Sequence, residues 1–183
     1  MMKTFKILAL VLVFLLIFSP VALARGRQAA PAPGSDSIAV IAGEAGFTEL
    51  VGALVYVDEE LGAGLVDLFA EGTDQYTVFA PTNDAFAALY EALEIDGITD
   101  LPAELVLDVL LYHVAEGRRA ANSVVPPVRP RRITTLLEDA SFTVNRNGVI
   151  TDIAGQKATI GPANISARNG IIHVIDKVLL PLE

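Results

Sequence analysis

The chain has two imidazoles, His113 and His173, and no cysteine. Imidazole is the side chain best placed to move protons near neutral pH or to ligate a metal. His113 follows Val109 by four residues and Leu110 by three, which sets it on or beside the apolar face of a helix. It reads as a neutral, hydrogen-bonded core residue, with the Asn83 or Asp84 side chain as its expected partner. His173 sits within Ile171–Ile175 on the face those two isoleucines share, and it reads the same way. Two histidines in separate elements do not complete a zinc set. No Asp/Asn-rich loop has calcium spacing, and Asp58-Glu59-Glu60 reads as a solvated connection. Ser123, Ser141 and Ser166 lie outside any Gly-x-Ser-x-Gly elbow, and no glycine-rich phosphate loop is present. Without a coherent catalytic set the chain reads as a non-enzyme, with no cofactor and no metal.

The most individual chemistry is basic. Arg118, Arg119, Arg129, Arg131 and Arg132 fall in one short segment around Pro126, Pro127 and Pro130. Prolines stiffen an extended loop, and a guanidinium pairs with carboxylate or phosphate through two bonds. The segment is a candidate dock for an acidic polysaccharide, a lipid headgroup or an acidic protein face. The alternative is a solvated connector whose arginines offset an acidic domain.

The elements that must position these residues change character midway. Phe47, Leu50, Val51, Leu54 and Val55 recur at helical spacing, with Thr48 a plausible cap. Leu61, Leu65, Leu68 and Phe69 continue into a second short helix that Gly72 ends. Tyr76–Ala80 is a β-prone run closed by Pro81, and Thr82 or Asn83 can cap a helix whose stripe is Phe86, Leu89, Tyr90 and Leu93. A further helix opens near Pro102, carries Leu105, Val109, Tyr112 and His113 on one face, and stops by Gly117. Thereafter the period is that of strands. Ser141–Val144 and Val149–Ile153 flank an Asn147-Gly148 turn expected to take positive φ angles. Ala158–Ile160 and Ile165 are short strands, and Ile171–Ile175 is a strongly buried one. Helices first and strands later predict an α+β domain.

Three ordered segments carry a resemblance. Thr77-Val78-Phe79-Ala80-Pro81-Thr82-Asn83-Asp84-Ala85-Phe86 resembles the first signature of fasciclin domains. Leu110-Leu111-Tyr112-His113-Val114 with Gly117-Arg118 is similar to that family's Tyr-His motif. Asn169-Gly170-Ile171-Ile172-His173-Val174-Ile175-Asp176, running on to Val178-Leu179-Leu180-Pro181, resembles its closing signature. The resemblance spans roughly Ser37 to Pro181. It implies a β-sandwich-like wedge of short strands with helices packed around it, and a role in cell-surface or matrix adhesion. Thr82, Asn83, Asp84, Phe86, Gly170, His173 and Asp176 are then mainly structural signature residues. In vertebrate matrix relatives integrin recognition is attributed to the Tyr-His segment and to an Asp-Ile pair. Here Tyr112 and His113 match the first, but the second reads Asn164-Ile165, which lacks the acid that an integrin metal needs. Tyr112, His113, Asn164 and Ile165 remain candidate interaction residues beside the five arginines. The second functional reading is a binder of anionic glycan or small molecule, through the Arg118–Arg132 loop or the Tyr112-His113 region.

The N-terminus predicts export. Lys3 and Lys6, the apolar run Ile7–Phe18, Pro20 and the small-residue pattern Ala22-Leu23-Ala24 form a three-part signal, with cleavage expected after Ala24. The run is short of the roughly 20 residues that a span needs; an uncleaved anchor is the alternative. Residues 25–36 read as a flexible leader and residues 37–183 as one domain, expected to be a monomer, secreted, periplasmic or held at the cell surface. Cleavage would take Lys3 and Lys6 from the 13 basic residues, leaving 11 against 22 acidic ones. That balance argues against nucleic acid and leaves a surface protein or polysaccharide as the expected partner.

Overall fold

The computed structural model describes residues 32–181. The expected signal segment and residues 25–31 of the expected leader lie outside the described residues.

Five helices precede most of the strands. They are α1 (Ile38–Glu44), α2 (Thr48–Leu61), α3 (Leu65–Ala70), α4 (Asn83–Leu93) and α5 (Ala103–Tyr112). Strand β1 (Tyr76–Pro81) interrupts them, and β2 (Val114–Glu116) follows α5 directly. The second half holds one short helix, α6 (Ala121–Val124), then β3 (Arg131–Thr134), β4 (Ser141–Val144), β5 (Val149–Thr151), β6 (Lys157–Thr159), β7 (Ile165–Ala167) and β8 (Gly170–Ile175). The α+β architecture matches the expectation, with helices mainly in the first half.

The strands form two four-stranded sheets, ordered β2-β1-β8-β7 and β3-β4-β5-β6. At the centre of the first, β1 and β8 run parallel from Tyr76 opposite Gly170 to Pro81 opposite Ile175. Side chains alternate across a strand, and here both faces are buried. Val78, Ala80, Ile172 and Val174 join the helical core with Leu50, Leu54, Phe86 and Leu110. Phe79 and Ile175 join a second core with Phe142, Ile133, Ile150 and Tyr112, against the inner face of the second sheet. Phe79 meets Phe142 edge-on with ring centroids 4.9 Å apart, worth about 0.5–1.5 kcal/mol beyond area burial.

Gly170 fixes the register of β8. A Cβ there would lie 2.3 Å from the Tyr76 carbonyl oxygen and 2.7 Å from Ile38 Cδ1, so only glycine lets the strands and α1 approach this closely. Before α1, the chain lies against the edge of β7. The Gly34 amide donates to Ala167 O at 3.3 Å, and the Arg168 amide donates to Asp36 O at 2.7 Å.

Several local expectations are corrected. Thr48 does not cap α2. The Asn83 side chain does so from the start of α4, its Oδ1 accepting from the Glu49 amide (3.2 Å) while its Nδ2 donates to Gly46 O (2.9 Å). Asp58 is not merely solvated. Its carboxylate accepts from the amides of Leu65 (2.8 Å) and Val66 (2.7 Å), satisfying the orphan donors of α3. The buried stripe of α5 is Ala103, Val106 and Leu110 rather than Leu105 and Val109, because that face meets both α2 and the first sheet. The helix stops at Tyr112, and Gly117 ends β2 instead. In the β4–β5 turn only Gly148 takes positive φ, at +74°. Asn145 Oδ1 supplies the rest by accepting from the amides of Asn147 (2.8 Å) and Val149 (3.1 Å). Strand β3 is unforeseen, since only Ile133 of its four residues is buried.

Candidate functional site

The histidines occupy the junction between the layers. His113 closes α5 and is 2% exposed. Its Nδ1 lies 2.6 Å from the Val109 carbonyl oxygen, and its Nε2 lies 2.9 Å from the Leu179 amide. A carbonyl only accepts and an amide only donates, so Nδ1 carries the proton and Nε2 is bare. The ring is therefore neutral, and burial pushes its pKa down to about 4. The expected partners Asn83 and Asp84 play no part: Asn83 caps α2, and Asp84 is exposed in the first turn of α4. His173 is fully buried on β8 as the opposite tautomer. Nε2–H donates to Arg119 O (2.8 Å) and Nδ1 accepts from the Asn164 amide (3.2 Å), with burial again lowering the pKa. Each ring bridges two backbone segments and has no nitrogen left for a substrate.

The neighbouring candidates are similarly committed. Tyr112 is fully buried; its hydroxyl donates to Ser141 O (3.1 Å) and accepts from the Ile153 amide (3.2 Å). Burial pushes its pKa up to about 12. Asn164 stands in the left-handed region at φ +63°, and its Oδ1 accepts from the Ala121 amide (2.8 Å) at the start of α6. Ile165 packs half-buried against the helical core. Of the signature residues, Thr82 caps α4 by accepting from the Ala85 amide (3.2 Å), Phe86 is buried, and Asp176 accepts from the Thr159 amide (2.6 Å). A structural residue missed from sequence is Asn169. It accepts from the Ile38 amide (2.9 Å) and donates to Phe69 O (2.9 Å), pinning α1 and α3 to the start of β8.

The five arginines do not form one cluster. The Arg118 guanidinium ties β7 to β8, donating to Ala167 O (2.9 Å), to Gly170 O and to Ser166 Oγ, and it reaches Ala32 O at 3.3 Å. Arg119 Nε donates to Glu116 O at 3.0 Å. Arg131 pairs with Val144 on the inward-facing register of β3 and donates to Ser123 O. Arg132 faces outward and donates from Nε to Ser141 Oγ at 2.5 Å. Arg129 is exposed on the proline loop beside Val128, which is 76% exposed. Among the described residues the one salt bridge is Arg168 to Glu71, at 3.8 Å, so Arg129, Arg131 and Arg132 have no carboxylate partner there. The loop Pro126–Arg131 rims a shallow, open hollow of about 400 Å³. Near His113 the void between α1, α2, α3, α5 and the first sheet measures about 30 Å³ and is wholly apolar. A small-molecule site typically needs about 300–1,000 Å³. Among the described residues no three His, Asp or Glu side chains gather to hold a metal, and no helix is long and apolar enough to cross a membrane.

With the two-sheet wedge and its buried Tyr-His junction in place, comparison with known proteins is decisive. The Fasciclin domain family model matches residues 45–181. The chain belongs to the fasciclin domain family. It is 36% identical over 159 residues to Protein sll1483 of Synechocystis sp., covering 84% of this chain and 78% of that one. It is 36% identical over 118 residues to the cell surface glycolipoprotein MPB83 of Mycobacterium bovis, covering 64% and 48%; it thus spans about half of that relative. Among solved structures it resembles the FAS1 domain pair of the insect cell adhesion molecule Fasciclin I, with a TM-score of 0.52 and 17% identity. That match covers 72% of this chain and 45% of the pair. In this fasciclin domain the two histidines and Tyr112 are buried, and Val128 and Arg129 stand exposed on the proline loop.

Proposed function

We propose that this fasciclin domain is a non-catalytic interaction module that works outside the cytoplasm, contacting a partner at the cell surface or in a matrix. The observation that carries the reading is the exposed loop Pro126–Arg132, which presents Val128, Arg129 and Arg132 without a carboxylate partner among the described residues. Relatives named as a cell surface glycolipoprotein and as a cell adhesion molecule support the setting, as does the export-type N-terminus. The non-catalytic reading rests on the locked tautomers of both histidines, since a general base needs a free nitrogen within reach of substrate. The test is retention of the domain on isolated envelope and culture-medium fractions. Replacing Arg129, Arg131 and Arg132 with alanine should abolish retention while leaving the melting temperature unchanged. Undiminished retention would remove the loop from the reading.

A further inference from the structure

Charge is divided sharply between the two halves of the chain. Residues 32–117, which build the helical layer with β1 and β2, carry 17 Asp and Glu and no Lys or Arg. Residues 118–181, which include the whole second sheet, carry 9 Lys and Arg against 4 Asp and Glu. Arg118 and Arg168 of that count sit at the first sheet. The second sheet with its connections, residues 129–159, carries 5 Lys and Arg against 3 Asp and Glu, so it is the less acidic part of a protein acidic in total.

The register of the second sheet defines what that end presents. Arg132 lies opposite Thr143, Thr143 opposite Thr151, and Thr151 opposite Lys157. Their inward neighbours Ile133, Phe142, Val144, Ile150 and Ala158 are buried, so this row stands on the outer face. Thr134, Ser141 and Thr159 share the face, and its one apolar member, Val149, is half-buried. No carboxylate projects from these strands on the outer side. Glu138 and Asp139 lie on the β3–β4 connection, Asp176 is held at the β6 edge by the Thr159 amide, and Asp152 is buried. Arg146, on the β4–β5 turn, and Arg129 flank the end of the sheet at which Arg132 stands.

We infer that the outer face of the β3-β4-β5-β6 sheet binds an anionic polysaccharide laid across the strands, along the Arg132-Thr143-Thr151-Lys157 row. This rests on the interaction-module reading and names the partner's chemistry. The row crosses three inter-strand gaps, about 14 Å in all, with a cation at each end and hydroxyls between. Carboxylate, sulfate or phosphate groups pair with the cations, and sugar hydroxyls exchange hydrogen bonds with the threonines. The acidic helical layer does not oppose this. The helices pack on the far face of the first sheet, so their charges lie more than one sheet spacing of about 10 Å behind the outer face. A bilayer fits less well, because a flat hydroxyl face offers little apolar surface to insert.

The experiment measures binding of residues 25–183 to immobilised alginate, with neutral dextran and phosphatidylglycerol vesicles in parallel. Alginate should bind, weakening as salt rises, and dextran should not. Lys157→Glu and Thr151→Glu, both remote from the proline loop, should each weaken alginate binding about tenfold or more, because each sets a like charge against the polymer. Their melting temperatures should match that of the parent. Full alginate affinity in both variants, or equal binding to dextran, overturns the inference. Vesicle binding that is lost in Lys157→Glu and Thr151→Glu, without alginate binding, assigns the face to a lipid surface and also overturns it. Retention on envelope fractions without alginate binding leaves the interaction-module reading standing and removes the polysaccharide alone.

Discussion

Acidification should destabilise this domain through His113. The ring is neutral in the folded state because both nitrogens are bonded to backbone and the side chain is buried. Its pKa is about 4, against 6.5 for an exposed imidazole. Between those values the unfolded chain binds a proton that the folded chain refuses, so stability rises with pH across this window. The stability is complete above pH 6.5 and is lost progressively as pH falls toward 4. The total is about 3 kcal/mol, at a limiting slope of about 1.4 kcal/mol per pH unit. His173, also lowered by burial, adds a change of the same sign. The assay is denaturant unfolding at closely spaced pH values for the parent and for His113→Gln. The variant should be less stable at pH 7.5 by about 1–3 kcal/mol, with two backbone groups poorly paired. Its stability should also fall about 1 kcal/mol per pH unit less steeply than the parent's between pH 6.5 and 4.5. Parallel curves would refute the reasoning. So would an NMR titration of the parent placing the His113 pKa above 6, a measurement that does not depend on the variant folding.

Two further substitutions probe the framework. Gly170→Ala should lower stability by about 2–4 kcal/mol in thermal or urea unfolding, because the new methyl meets the Tyr76 carbonyl and Ile38 together; a neutral result would contradict the close approach of β1, β8 and α1. Asn164→Ala should cost about 1–2 kcal/mol, losing both the α6 cap and a residue tolerant of φ +63°. Asn164→Gly keeps the backbone and loses only the cap, so calorimetry should place it between parent and alanine.

The fold was legible where sequence pattern and burial coincide. Thr82 as a cap, Gly170 before an all-buried strand, and the helix-to-strand change of period are local signals, and the structure uses them as local signals. What escaped depends on partners distant in sequence. The cap expected of Thr48 is supplied instead by Asn83, which bonds the Glu49 amide 34 residues away, and His113 bonds Leu179, 66 residues away. Residue type indicates that such groups need partners without indicating which. The candidate site was legible in composition and not in geometry. Arg118 to Arg132 read as one basic segment, yet Arg131 and Arg132 fall on opposite faces of β3, and Arg118 is bonded to the β7–β8 backbone and Ser166. The threonine row was hidden for a related reason. Its members come from four strands of three or four residues each, too short for alternation to declare a face.

The parallel pairing of β1 with β8 sets the order in which this molecule can become itself. Tyr76 meets Gly170 across 94 residues, and closing a loop of that length costs roughly 4 kcal/mol of chain entropy before any contact rewards it. The intervening second sheet can form from neighbouring hairpins, and the helices from local contacts. The strand that joins them, β8, follows both in chain order. A chain cut short before Gly170 would keep nearly all its helices and hairpins and still lack the seam between them. Folding is therefore expected to be slow for a domain of this size, with the nascent chain holding two unsealed apolar faces until its closing segment arrives.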